Sequence, residues 1–284
     1  MIQIQMGIPV MDELFSSNPV SDHNRQAWDA RVRQGDVFTK PAEEDDFRDP
    51  LAAVDAPGWL GPEKDLRGKE LLCLAAGGGR QAPLYAAAGA NVTVLDISPA
   101  MLELDRQVAH QRGLQIHTVE GSMDNLSMFD QSRFDVVIQP VSTCYVTNII
   151  KVYQQIANVT RNEGLYISQH KQPVSLQAST QPSADGYRLS EPYYRQGPLP
   201  PVHGSPHREY GTLEFLHRWE ELLGGLCRAG FVIEDLLEPL HATPDAASGS
   251  FAHRCQYIAP YVRVKARRHR GSTDTPPAEK LKID

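Results

Sequence analysis

Residues 71–98 read LLCLAAGGGRQAPLYAAAGANVTVLDIS: an apolar run, three glycines, a helix-compatible stretch, and a second apolar run ending in an acid. Apolar runs of strand length joined through a glycine-rich turn and a helix form the first half of a parallel βαβ unit. Gly77, Gly78 and Gly79 let the backbone approach a ligand where a Cβ would clash. Asp96 follows at about 20 residues, a place from which a carboxylate accepts both hydroxyls of a ribose. The ligand should therefore carry an adenosine-like sugar. A dinucleotide motif wants a third, spaced glycine opening the helix, whereas Arg80 and Gln81 follow the run here; the spacing favours S-adenosylmethionine over a nicotinamide dinucleotide. Glycines alone leave a second reading open, a tight strand-to-helix turn with no ligand.

Outward from this unit, Ser98-Pro99 caps and opens a helix to about 110. Strands are expected over 115–120, 134–139 and 164–169, with a helix over 145–160 between the last two. Strands alternating with helices at this interval give an α/β fold, a Rossmann-like parallel sheet covered on both faces. A helix over 212–228, closed by Gly230, leads to an antiparallel closing pair over 231–237 and 251–265. At the other end, Ser21 or Asp22 caps a helix to about Arg33, with Ala27, Trp28, Ala30 and Val32 on its apolar side. The expected organisation is an N-terminal arm, helix and connector (1–64), a binding domain (65–264) and a disordered tail (265–284). Within the domain, 171–211 is rich in proline and carries Tyr187, Tyr193 and Tyr194, as an inserted lid would.

The 284 residues, 41% apolar, can bury one sizeable core. A net charge of −7 argues against a general phosphate-backbone binder, so a small molecule is the favoured partner and nucleic acid is not. Cys73, Cys144, Cys227 and Cys255 form no C-x-x-C pair and suit reduced thiols in a cytoplasm. No apolar run is long enough for a bilayer span. His203 and His207 lie four apart in PPVHGSPH, where prolines forbid the helix that would align them on a metal.

Four segments carry a family resemblance: NRQAWDARVRQGDVFTKP (24–41), LLCLAAGGGRQAPLYAAAGANVTVLDISPAMLELDRQVA (71–109), FDVVIQPVSTCYV (134–146) and TLEFLHRWEELLGGLCRAGF (212–231). Together they resemble the class I S-adenosylmethionine-dependent methyltransferases. Within them the chain resembles a bacterial subgroup whose glycine motif reads CLAxGGGQQ in place of the commoner DxGxGxG. The resemblance implies fold, cofactor and reaction class; it names no acceptor. Cys73 stands where the commoner pattern has an acid, Ala75 where it has a glycine, and Ser122 where relatives place an Asp against the adenine.

On this resemblance Ala75, Ala76, Gly77, Gly78, Gly79 and Gln81 cradle the methionine half of the cofactor and Asp96 takes the ribose. Ile97, Met101, Ser122 and Met123 meet the adenine, and Gln139 completes the cofactor side. The segment after the fourth strand, with Ser142, Cys144 and Tyr145, floors the site; Trp28 and Tyr194 are further acceptor candidates. Its QPVS is not the NPPY of nucleic-acid amino-methylating enzymes. For a general base the imidazoles are the natural search: His170 follows the fifth strand and His217 is expected on the last helix, both at the carboxyl edge of the sheet, with Tyr145 beside them. Because in-line methyl transfer is served largely by positioning, no catalytic triad is required.

The expected activity is methylation of a small molecule, with tRNA or protein methylation, or cofactor binding without catalysis, as alternatives. Asp96→Ala should weaken S-adenosylhomocysteine binding at least about tenfold, because a charge-assisted bond to a ribose hydroxyl is worth about 1.5–3 kcal/mol. Calorimetry on the folded variant measures it, and an unchanged dissociation constant removes Asp96 from the site.

Overall fold

The computed structural model describes residues 18–55, 57–60, 65–202, 205 and 207–269. The N-terminal arm up to residue 17, His203, and the tail from residue 270 lie outside the described residues. In chain order the elements are α1 (Pro19–Gln34), α2 (Pro50–Val54), β1 (Glu70–Leu74), α3 (Gln81–Ala87), β2 (Asn91–Asp96), α4 (Pro99–Arg112), β3 (Ile116–Glu120) and β4 (Phe134–Gln139). They continue with α5 (Ile149–Val159), β5 (Thr160–Lys171), α6 (Pro173–Gln177), α7 (Gly225–Arg228), β6 (Phe231–Leu237), α8 (Phe251–Arg254) and β7 (Tyr261–Arg268).

The strands form one sheet of order β3-β2-β1-β4-β5-β7-β6, parallel from β3 to β5, with β7 antiparallel to both its neighbours. This is the class I methyltransferase form of the Rossmann-like fold. β1 is central and apolar at every inner position, as a strand covered on both faces must be. Leu72 and Leu74 pack with α5, Tyr166 and Phe231 on one face; Leu71 and Cys73 pack with α3, Val92 and Ile138 on the other. Carboxyl ends of parallel strands, where an order reverses, are where open α/β sheets bind ligands. Here that edge lies at β1 and β4.

Several boundaries differ from the sequence pattern. α1 is capped by Asn18, whose Oδ1 accepts from the Val20 N–H at 3.1 Å. Pro19 fills the first turn, where no N–H needs a partner. α5 starts only at Ile149, because Asn148 accepts from the Lys151 N–H and caps it there. Residues 212–218 form no helix: Phe215 N–H donates to the Cys144 carbonyl and the Glu214 carbonyl accepts from Leu199 N–H, both at 2.7 Å. Backbone groups spent on neighbouring segments cannot close helical bonds. The turn that follows, Glu220–Gly224, is a π-helix running into α7. Over 251–265, α8 comes first, capped by Ser250, and β7 then runs to Arg268, so the strand extends past the expected start of the tail.

A π-turn displaces carbonyls from the regular ladder. The Leu222 carbonyl in this one accepts from the fully buried Tyr153 hydroxyl of α5 at 2.9 Å. Tyr153→Phe should cost about 1–3 kcal/mol by leaving that carbonyl without its donor. Denaturant unfolding measures the loss, and an unchanged midpoint assigns the π-turn to packing alone.

Candidate active site

The turn after β1 is held by two buried carboxylates. Gly77 N–H donates to Asp96 Oδ2 at 3.0 Å, while Gly78 and Gly79 donate to Asp105 Oδ2 and Oδ1 at 3.1 and 3.0 Å. Ser98 N–H takes the other Asp96 oxygen at 2.9 Å. Gly78 (φ 120°) and Gly79 (φ 73°) occupy backbone conformations that side chains rarely adopt. Ala75, standing where the commoner motif has glycine, is itself left-handed at φ 50°, a strain of about 1–2 kcal/mol. A Cβ at Gly77 would lie 2.8 Å from Met101 Cβ and 3.0 Å from Asp96 Oδ2. A larger residue there displaces Asp96 and Met101 themselves, before it reaches ligand space.

Asp105, which holds the glycine turn, is a residue that the motifs do not mark. It lies four residues after Met101 on the buried side of α4, an acid on an otherwise apolar stripe, and that mismatch is the signal the sequence holds. Burial pushes the Asp105 carboxyl up to about 7, against the bonds from Gly78 and Gly79 that lower it. Burial likewise pushes Asp96 up to about 6, opposed by the N–H groups of Ser98, Gly77 and Ile97.

The turn opens on a cavity of about 550 Å³. Its cradle end is lined by Ala75, Ala76, Gly77, Gly78, Gln81, Asp96, Ile97, Met101 and Met123, as expected of cofactor contacts. Three expected contacts stand elsewhere. Gly79 lies beneath the turn, engaged by Asp105. Ser122 lines an adjoining depression with Glu120 and Arg25, sharing Ile97 and Gly121 with the cavity edge. Gln139 is buried behind the wall, where its Oε1 accepts from the Tyr166 hydroxyl at 2.6 Å and its Nε2 donates to Ser142 Oγ and Met123 Sδ at 3.0 and 3.2 Å. It acts by positioning those two. Gln81 Oε1 is buried with no protein hydrogen-bond partner, an acceptor ready for a ligand amino group. That orphan oxygen, the Asp96 carboxylate and the glycine cradle fit S-adenosylmethionine.

At the other end the cavity is lined by Trp28, Ser142, Tyr145, Gln169, Glu209 and Tyr261. The ring of Trp28 on α1 meets Tyr145 edge-on at 5.7 Å. Asp29 fixes α1 to the start of α4 by accepting from Ser98 Oγ at 2.6 Å. Buried Asn24 ties α1 to the rest of the wall, donating to the Tyr145 and Leu213 carbonyls at 3.1 Å and accepting from Leu213 N–H at 2.7 Å.

Both imidazoles expected as bases lie away from the cavity. His170 is fully buried, one ring nitrogen 2.9 Å from Thr143 Oγ1 and the other 2.7 Å from Ser168 Oγ. Burial, with the neighbouring His217, pushes its pKa down to about 3. His217, on non-helical chain before the π-turn, donates from Nε2 to the Thr143 and Val146 carbonyls, each at 3.0 Å; burial lowers its pKa too. Neither meets an acceptor. Both rings hold the 143–146 turn, His170 through the Thr143 hydroxyl and His217 through the Thr143 and Val146 carbonyls, and so position Tyr145. Cys144 points into a small core with Leu176, Leu199 and Leu216, and burial raises its thiol. Tyr194 is 72% exposed, lying beside Tyr193 and under the Arg218 guanidinium. These two do not line the cavity.

A buried charge cluster, unmarked in the sequence, stands behind the acceptor end. Lys171 Nζ, at the end of β5, donates to Glu209 Oε2 and Glu214 Oε1, and Arg208 Nε donates to Glu214 Oε2. Burial, with the neighbouring Glu209 charge, raises the Tyr145 phenol. Burial pushes Glu209 up, but the Lys171 charge and hydrogen bond outweigh it and hold it below the usual carboxylate range.

The methyltransferase-domain family matches residues 72–168. An uncharacterized methyltransferase of Bacillus subtilis, YbaJ, is 36% identical over 236 residues, covering 78% of this chain and 91% of the relative. Among solved structures, an S-adenosylmethionine-dependent methyltransferase from Mesorhizobium loti superposes with a TM-score of 0.59 at 18% identity, covering 78% of this chain and all of that one. Geranyl diphosphate C-methyltransferase from Streptomyces coelicolor, solved with its substrate and S-adenosylhomocysteine, gives 0.58 at 13% identity over 89% of this chain and 99% of that one. At these identities the two structures share the fold.

The two raised carboxylates act in opposite directions on stability and on binding. Their folded pKa values, about 6 and about 7, exceed the unfolded value of about 3.9. Their contribution to stability is therefore complete below about pH 4 and is lost as pH rises through 6 to 7. On the expectation that Asp96 takes the ribose as a carboxylate, S-adenosylhomocysteine affinity should rise about tenfold from pH 5 to pH 8. Calorimetry across that range checks this, and a flat profile in the wild type removes Asp96 ionisation from binding.

Proposed function

Because the chain belongs to the class I S-adenosylmethionine-dependent methyltransferases, we propose that it methylates a small-molecule acceptor by in-line displacement. We place it, on its CLAAGGGRQ run, with the subgroup carrying that type of glycine motif. One observation carries the size of the acceptor: the cofactor cradle and the aromatic end belong to a single cavity of about 550 Å³, a volume typical of small-ligand sites. α1 covers it through Trp28, and residues 207–217 wall it through Glu209. In this reading the 171–211 insertion works as the lid.

The bound donor supplies an electrophilic methyl carbon on a sulfonium. The chain's own residues hold and align. Asp96 and Gln81 fix the two ends of the donor, and the backbone of Gly77 and Gly78 lets it approach. Trp28, Ser142 and Tyr145 orient the acceptor. The net charge of −7 and the absence among the described residues of a helix able to cross a membrane fit a small-molecule enzyme. Four cysteines, all free, favour a reducing cytoplasm.

Incubation with methyl-labelled S-adenosylmethionine and separated small-molecule, RNA and protein fractions of a bacterial extract tests this reading. Label should enter the small-molecule fraction. Label confined to RNA or protein overturns the acceptor class, and tight S-adenosylhomocysteine binding without transfer anywhere overturns catalysis.

A further inference from the structure

We propose that Glu209 is the proton acceptor for an oxygen nucleophile, and that the methyl acceptor is a ring-borne hydroxyl compound, a phenol or an enol. The proposal rests on the small-acceptor reading above and adds to it a base and a chemical class.

Of the cluster Lys171, Arg208, Glu209 and Glu214, only Glu209 lines the cavity. Two other carboxylates line it among the described residues: Asp96 belongs to the cradle and Glu43 is exposed at the rim. With His170 and His217 engaged by the 143–146 turn, Glu209 is the basic group facing the acceptor end. A carboxylate accepts about four hydrogen bonds. Lys171 provides one for Glu209 Oε2, which leaves acceptor capacity for a ligand hydroxyl. Removal of a buried charge from such a group of four would leave the others unbalanced, so Glu209 also anchors the wall; its place at the cavity surface is what an anchor alone does not require.

Lys171 keeps Glu209 ionised, so the base is ready without prior proton loss. An amine acceptor attacks through a free lone pair, and facing a carboxylate as an ammonium it would have none. A hydroxyl keeps lone pairs after giving its proton to a carboxylate. As the acceptor oxygen forms its bond to the methyl carbon, the carbon–sulfur bond breaks, sulfur keeps the electron pair, and the hydroxyl proton passes to a Glu209 carboxylate oxygen. The positive charge of Lys171 and Arg208 then favours release of that proton to solvent. Trp28, Phe38, Tyr145 and Tyr261 contribute aromatic walls, which suit a flat ring.

The test uses 4-methylphenol, which keeps its proton near neutral pH, and its methyl ether, 4-methylanisole, with the full chain loaded with S-adenosylhomocysteine. The wild type should bind the phenol at least about fivefold tighter than the ether, and Glu209→Gln should abolish that preference while S-adenosylhomocysteine affinity stays the same. With labelled S-adenosylmethionine the wild type should convert 4-methylphenol to 4-methylanisole, Glu209→Gln should be slower by about 10²–10⁴-fold, and Glu209→Asp should recover part of the rate. If Glu209→Gln fails to fold, Glu209→Asp and Tyr145→Phe carry the binding test, and the phenol preference must fall in each. Equal binding of phenol and ether, full-rate transfer by Glu209→Gln, or a preference for 4-methylaniline that survives the substitution overturns the proposal. Each of these leaves small-molecule labelling from extract intact, whereas label found only in RNA or protein strikes the small-acceptor reading itself.

Discussion

The glycine turn after β1 is kept open by carboxylates that sit in apolar surroundings. Asp96 and Asp105 together take the N–H groups of Gly77, Gly78 and Gly79, and each such charge-assisted bond is worth about 1.5–3 kcal/mol. Burial opposes both, raising each carboxyl toward neutrality. The balance sets a backbone whose shape is fixed by side chains from β2 and α4, so that the sheet edge, Met101 and Asp96 form one unit. Ala75 in a left-handed conformation is tolerated because its N–H is anchored to the Leu95 carbonyl at 2.7 Å.

The acceptor end depends on a second polar device. His170, His217 and Asn24 converge on the 143–146 turn from β5, from the non-helical chain before α7, and from α1. His217 and Asn24 donate to backbone carbonyls of the turn that would otherwise be buried without partners, and His170 holds the Thr143 hydroxyl. Tyr145 is thereby fixed against Trp28 and Glu209. The ion cluster of Lys171 and Arg208 with Glu209 and Glu214 holds the wall segment to the end of β5. Buried ion groups are costly to break singly, which gives this wall a defined position over the sheet.

The chain by itself determined the βαβ unit, the sheet, the cradle and Asp96, because these follow from strand-length apolar runs, glycines in a turn and caps. Such signals act between residues a few positions apart, or between neighbouring strands. Helix starts were less legible: Asn18 begins α1 ahead of the expected Ser21 or Asp22, and Asn148 begins α5 after the expected Tyr145. The non-helical course of 212–218 follows from bonds to residues 199 and 144, which no local propensity encodes.

Only the tertiary structure decided what each polar side chain faces. His170 and His217 reach the carboxyl edge of the sheet as expected, yet turn toward Thr143, which is 27 and 74 residues away. Asp105 meets Gly78 across 27 residues, Lys171 meets Glu209 across 38, and Asn24 meets Leu213 across 189. A side chain's chemistry is legible from its type, but whether it binds ligand or backbone is set by which long-range partners reach it first once the core has packed.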